Sequence, residues 1–331
     1  MVERIGVAFT GGGMSPPEIV QCVQLAEELG YESAWVAEGH GGDQFAILTA
    51  CALATSTIKL GTSISSVFVR SAPTIAMAAA CVDHYSQGRF ILGLGSSHKV
   101  QVEPEHGLEF SAPIPKVRDT VEIVRTLLRD GNLVNYRGEV INIDTFDLHF
   151  PVLRPDLPIY LAAVFPRMLE IAGEISEGIL LTWCTPEHAR TAAHHVAIGA
   201  GRAGVESSSV ELATLLSVAP PGAGDGGMRR VAATYAGRFP RYRRLMAEAG
   251  FADDVELVLR AWREGNLPRA ERLVPQRLID RMSLPSDAGE RRERLAEYRE
   301  AGITLPIIAP RVAGEAAGKS ALEIIRGNAP A

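Results

Sequence analysis

The feature that most constrains this chain is a repeated alternation of short apolar runs with longer amphipathic stretches, sustained from one end to the other. Residues 2–9 read as a strand. Ser15, Pro16 and Pro17 then supply a helix start for 18–29, which Gly30 stops. The pattern continues with strand 33–37 and helix 43–55, strand 58–63 and helix 73–85, and strand 89–94 between Gly88 and Gly95. Further strands are expected at 158–163, 177–182, 210–218 and 303–308. Short crossovers return the chain to the same edge each time, which makes the strands parallel. Eight parallel strands with intervening helices predict an α/β fold, a closed (β/α)8 TIM barrel.

Two segments exceed what a barrel needs. After helix 114–129, residues 133–148 contain the turn Tyr136-Arg137-Gly138-Glu139 and read as a β-hairpin insertion before strand five. Between strands seven and eight, residues 228–283 hold twelve arginines and are broken at Pro240, Gly250, Pro268 and Pro275. This helical insertion is expected to be a solvated layer or a dimer surface, with a lid over the active site as the alternative. The loop 219–227, with four glycines and two prolines, is its expected hinge. A length of 331 residues suits one barrel domain carrying the insertion region 219–283.

A net charge of −6 argues against nucleic-acid and anionic-membrane partners, which reward clustered Lys and Arg. A small-molecule substrate is the expected partner, with a homodimer as the expected assembly. None of the four lysines, Lys59, Lys99, Lys116 and Lys319, ends a later predicted strand, so Schiff-base chemistry is disfavoured. Cys22, Cys51, Cys81 and Cys184 are far apart and are expected to be buried structural thiols. The start of the chain shows no basic region followed by an apolar run, and no stretch is long enough to span a bilayer. A cytoplasmic location is therefore expected.

Barrel enzymes place chemistry at the C-terminal ends of their strands. Strand two ends in Glu38-Gly39-His40-Gly41-Gly42, where a histidine near a carboxylate can move a proton at neutral pH. Strand three ends in Gly61-Thr62-Ser63-Ile64-Ser65-Ser66, and strand four in Gly93-Leu94-Gly95-Ser96-Ser97-His98. The latter is not a dinucleotide fingerprint, because His98 stands where the third glycine belongs. Its small residues instead allow backbone N–H groups to approach a planar cofactor or a phosphate. Strand five leads through Ala162-Ala163-Val164-Phe165 to Pro166 and Arg167, a helix start suited to an anionic tail or simply a barrel turn. Trp183, past strand six, is either site wall or packing. His188, His194 and His195 lack the spacing that puts ligands on one helix face, so no metal site is expected.

Taken together, three segments resemble luciferase-like enzymes: Gly30-Tyr31-Glu32-Ser33-Ala34-Trp35-Val36-Ala37-Glu38, Leu60-Gly61-Thr62-Ser63-Ile64, and the run from Asp83 through Gly88-Arg89-Phe90 to Gly95. Pro166-Arg167-Met168-Leu169, Ala172-Gly173 and Glu177-Gly178-Ile179-Leu180-Leu181 resemble the branch that uses the deazaflavin coenzyme F420, typified by methylenetetrahydromethanopterin reductase. The resemblance covers residues 1–202.

The resemblance implies a cofactor ring across the barrel mouth, backed by a bulge with a non-prolyl cis peptide at Ser63–Ile64. It implies that His40, aided by Glu38, handles the proton, with Gly39 beside it. Gly95, Ser96, Ser97 and His98 would lie along the ring's polar edge, and Ala162, Ala163, Val164, Phe165 and Arg167 would receive the tail. Phe165 stands where relatives often have glycine, and His98 where some sugar-phosphate-oxidising relatives have glutamate. The implied activity is hydride transfer between F420 and a small C=C, C=N or C=O substrate. An FMN-dependent monooxygenase of the same fold and a non-catalytic cofactor-binding paralogue are the alternatives.

Overall fold

A computed structural model of the chain describes residues 3–10, 13–220, 222, 226–285 and 287–330. The strands are β1 (Gly6–Phe9), β2 (Ser33–Val36), β3 (Lys59–Thr62), β4 (Ser65–Ser66), β5 (Phe90–Gly95), β6 (Asn132–Arg137), β7 (Asn142–Asp147), β8 (Ile159–Ala162), β9 (Gly178–Thr182), β10 (Glu211–Val218) and β11 (Leu305–Pro310). Parallel pairing runs in the order β3-β2-β1-β11-β10-β9-β8-β5, and β3 pairs with β5 to close the ring. This is the expected (β/α)8 barrel. Short β4 prolongs strand three past the bulge and pairs with the end of β5, Ser65 opposite Leu94 and Ser66 opposite Gly95. The expected start of strand one at Val2 lies outside the described residues, as do four positions of the proposed hinge, Pro221, Ala223, Gly224 and Asp225.

Large and small side chains alternate inside the barrel, because neighbouring strands are too close for two rings side by side. Trp35 sits between Ala8 and Gly61 across the ladder, and Tyr160 between Gly93 and Gly178. A Cβ on Gly61 would come 2.3 Å from Trp35 Cε3, so only glycine leaves room for that ring. The two rings meet with centroids 5.6 Å apart. Trp35 Nε1 donates to Ser33 Oγ at 2.9 Å and Tyr160 donates its hydroxyl to Glu211 at 2.6 Å, so both polar atoms are satisfied. These rings fill the barrel below its C-terminal mouth.

The outer helices are α1 (Pro16–Glu28), α2 (Gln44–Ala54), α3 (Ala72–Tyr85), α4 (Lys99–His106), α5 (Pro113–Asp130), α6 (Pro166–Ile175) and α7 (Pro186–Ala203), followed after the insertion by α13 (Ala288–Glu300) and α14 (Ala317–Gly327). Their apolar stripes bury against the outer faces of the strands in the main core; in α1 the stripe is Ile19, Cys22, Val23 and Ala26. Cys81 departs from expectation. It is exposed on α3, whereas Cys22, Cys51 and Cys184 are buried.

The hairpin β6–β7 lies between α5 and β8 as predicted. Its turn is held by the buried Asp119 carboxylate, which accepts the N–H groups of Glu139, Val140 and Ile141 at 2.7–3.0 Å. The second insertion contains α8 (Gly226–Arg238), α9 (Pro240–Met246), α10 (Ala252–Arg263), α11 (Leu267–Leu273) and α12 (Gln276–Met282). It has an apolar cluster of its own, to which the barrel contributes Trp183, Val164 and Phe165. Among the described residues no helix is long and apolar enough to cross a membrane.

Candidate active site

The end of strand two is tied to the bulge of strand three. Glu38 N–H donates to Ile64 O at 3.3 Å, and the Glu38 carboxylate accepts Ser66 N–H at 2.7 Å and Arg70 Nε–H at 2.5 Å. Arg70 also reaches Asp43, whose carboxylate caps α2 by accepting from Phe45 N and Ala46 N at 3.0 Å. Glu38 is therefore committed to holding backbone in place, which differs from its expected service to His40. The histidine has another partner. His40 Nε2 lies 3.2 Å from Glu105 Oε2 on α4, and its side chain is 77% exposed at the rim. Glu105 also contacts Arg238 of α8.

At the bulge itself the Ser63–Ile64 peptide is cis, as the resemblance implies. Thr62 bridges the two strands beneath it, donating to Gly93 O at 2.7 Å and accepting Gly93 N–H at 2.8 Å. Ser63 Oγ is buried without a protein partner. Gly95 lies behind the bulge: a Cβ there would meet Ile64 at 3.0 Å and the Ala162 Cβ at 3.1 Å.

Ser96, Ser97 and His98 form the next wall. Ser97 has φ +54°, a left-handed conformation costing roughly 1–2 kcal/mol for a residue with a Cβ. Arg241 of α9 donates to Ser96 Oγ at 3.0 Å. His98 precedes α4, and its ring packs against Phe239 and Tyr242, centroids 4.8 and 5.1 Å away. Burial, reinforced by the charges of Arg241 and Arg238, pushes the imidazole down to about 4.

Strand five delivers Ala162, Ala163 and Val164 to Phe165, the residue before α6. The Phe165 ring lies 4.5 Å from the Arg244 guanidinium and packs, with Val164, against the insertion's core. Arg167, in the first turn of α6, is exposed and has no carboxylate in ion-pair range among the described residues.

These strand ends surround one cavity of about 430 Å³. Glu38, Gly39, His40, Ser63, Ile64, Ser96, Ser97, His98, Ala162, Ala163, Val164, Phe165 and Arg167 all lie on its wall; Gly95 does not. The other side is walled by residues the sequence did not single out: Thr10, Arg311, Tyr235, Phe239, Arg241 and Tyr242. Tyr235 packs on Trp183 at 4.6 Å, which makes Trp183 a packing residue joining barrel to insertion. The insertion is thus a roof over the mouth and not simply the solvated layer expected from its arginine content. Arg241 and Arg311, like Arg167, have no carboxylate partner among the described residues, so the cavity is electropositive in an acidic protein.

Such a site, at the strand ends of a closed barrel and under a helical roof, is that of a barrel enzyme whose ligand is held at the C-terminal mouth. The profile of luciferase-like monooxygenases matches residues 2–305, and the chain belongs to that family. It is 28% identical over 312 residues to a 5,10-methylenetetrahydromethanopterin reductase of Archaeoglobus fulgidus, with 91% of each chain covered. The structure of the coenzyme F420 dependent tetrahydromethanopterin reductase of Methanopyrus kandleri superposes with a TM-score of 0.85 at 23% identity, covering 99% of this chain and 98% of that one. A monooxygenase of Streptomyces bottropensis superposes with a TM-score of 0.72 at 21% identity, covering 98% and 97%.

Proposed function

We propose that the chain is an oxidoreductase that holds coenzyme F420 across the barrel mouth and acts on a small organic substrate at a C=C, C=N or C=O carbon. When bound, the deazaflavin supplies the carbon that carries hydride, chemistry belonging to the cofactor. The observation that carries this reading is the cavity wall itself: the Ser63–Ile64 bulge, a buried and unpartnered Ser63 hydroxyl, and the Arg167 guanidinium, which has no carboxylate partner among the described residues, lie on one surface. The names of the relatives favour F420 over FMN as the ligand of such a wall.

Each residue group has a distinct task. Ile64 would back the ring, while Ser63, Ser96 and Ser97 would meet its polar edge. The first turn of α6 and Arg167 would receive an anionic tail, as unpaired N–H groups and a cation do. Phe165 leaves that approach free because its ring is engaged with Arg244 and the roof. The roof excludes water, and His40 paired with Glu105 takes or gives the proton at the rim.

The test is oxidation of reduced F420 by a panel of enones, imines and aldehydes, followed by return of the oxidised cofactor's absorbance. Turnover with at least one class supports the reading. Turnover only with reduced FMN and oxygen makes the chain a monooxygenase, and tight F420 binding without any turnover makes it a binding protein.

A further inference from the structure

Arg311 stands one residue beyond β11, on the side of the cavity formed by strands seven, eight and one. The bulge and the tail-binding loop occupy strands three to five, across the barrel mouth. A ring backed by Ile64 has one face covered, so a substrate must approach from the side where Arg311 lies. That direction of approach rests on the function proposed above.

The guanidinium is held and not satisfied. Its Nε–H goes to Ser217 Oγ at 2.8 Å and one Nη1–H to Thr10 Oγ1 at 2.9 Å, both neutral hydroxyls. Arginine offers five N–H donors in a fixed fork, so the remainder are left for a ligand. Arg89 provides the contrast. It also lacks a carboxylate, yet it donates to the carbonyls of Ser86, Ile58, Ala52 and Thr55 and is a structural clamp. The hydroxyls of Thr10 and Ser217 fix the plane of Arg311 without neutralising it, and Tyr242 lies on the same cavity wall.

We infer that Arg311, oriented by Thr10 and Ser217, is the anchor for a carboxylate on the substrate, so that the enzyme acts on small unsaturated or carbonyl-containing acids. A single guanidinium beside neutral hydroxyls matches a monoanion and gives the planar two-point contact that a carboxylate accepts. Arg241, the other partly buried cavity cation, is engaged with Ser96 on the opposite loop.

The experiment is calorimetric titration of the F420-loaded protein with crotonate and benzoate, each against its neutral amide, and with inorganic phosphate as a third arm. The carboxylates are expected to bind at least about tenfold more tightly than the amides and more tightly than phosphate. Arg311→Gln is expected to abolish that preference while the Kd for F420 stays within about twofold, as suits a group that bonds only the substrate. Thr10→Val is expected to weaken carboxylates several-fold, and it decides the matter if Arg311→Gln does not fold. Equal binding of acid and amide, no saturation by either acid, tighter binding of phosphate, or loss of F420 from Arg311→Gln would overturn the assignment. If the wild-type protein takes up no F420, the proposed function fails instead, and the same titration on the cofactor-free protein still judges Arg311.

Discussion

Arg70 and Glu38 are joined at the mouth of the barrel between the adjacent strands two and three, the guanidinium from the segment after the bulge meeting the carboxylate that ends strand two. Because Glu38 also accepts Ser66 N–H, one ion pair sets the position of the backbone on which a cofactor ring would rest. Side-chain exposures of 22% and 16% place the pair between surface and interior, where removing one partner strands the other in poor solvent.

Arg70→Met should therefore destabilise the protein by about 2 kcal/mol, less than for a fully buried pair. It should also weaken F420 binding, because the bulge loosens. Urea unfolding and a fluorescence titration of the variant check both; unchanged cofactor affinity would confine Arg70 to stability.

His40 and Glu105 are expected to act after binding. His40→Ala should lower kcat by roughly a hundredfold, within the usual range for loss of a general acid–base group, with the Kd for F420 unchanged. Glu105→Gln should cost about tenfold, since the imidazole remains but loses its orienting partner. Steady-state kinetics alongside cofactor titration separates this from a binding defect.

His98 makes stability depend on pH. Its folded value of about 4 lies below the ordinary histidine value, so above about pH 6.5 neither state is charged and no penalty exists. As pH falls from 6.5 to 4 the unfolded chain takes up a proton that the folded chain resists, and stability drops by up to ~3 kcal/mol. His98→Leu, which keeps contact with Phe239 and Tyr242, should flatten this slope in unfolding measured at pH 7, 6 and 5. An unchanged slope would assign it to other groups.

Gly61→Ala puts a methyl group into the Trp35 ring and should cost about 2 kcal/mol or more. Combining it with Trp35→Leu should recover part of that loss, giving a coupling between the two sites in a double-mutant cycle. Simple additivity would show that the barrel interior absorbs the methyl group elsewhere.

The barrel was legible because each strand is a short apolar run closed by glycine, proline or a capped helix, signals carried by adjacent residues. The cavity wall was legible wherever its residues follow a strand directly, as at His40, Ser63, Ser96 to His98 and Arg167. Arg311 escaped because strand eight was expected to stop at 308, whereas β11 runs to Pro310 and the arginine follows it. Glu105 and Arg241 escaped for another reason. They meet His40 and Ser96 across 65 and 145 residues of chain, and nothing local marks such pairing. Cys81 lies in an apolar helical pattern, yet it falls on the outward stripe of α3 with Met77 and Tyr85, four residues to either side. The arginines of the insertion suggested a wet surface, while the aromatic residues between them, Tyr235, Phe239 and Tyr242, turn that segment into a roof.

The central claim is that this cavity is built for a deazaflavin. Parallel fluorescence titrations of the purified protein with F420 and with FMN test it most directly. The account predicts saturable F420 binding at least about tenfold tighter than FMN, a gap of ~1.4 kcal/mol, and its weakening in Arg167→Gln. Tight FMN binding with negligible F420 binding would contradict it.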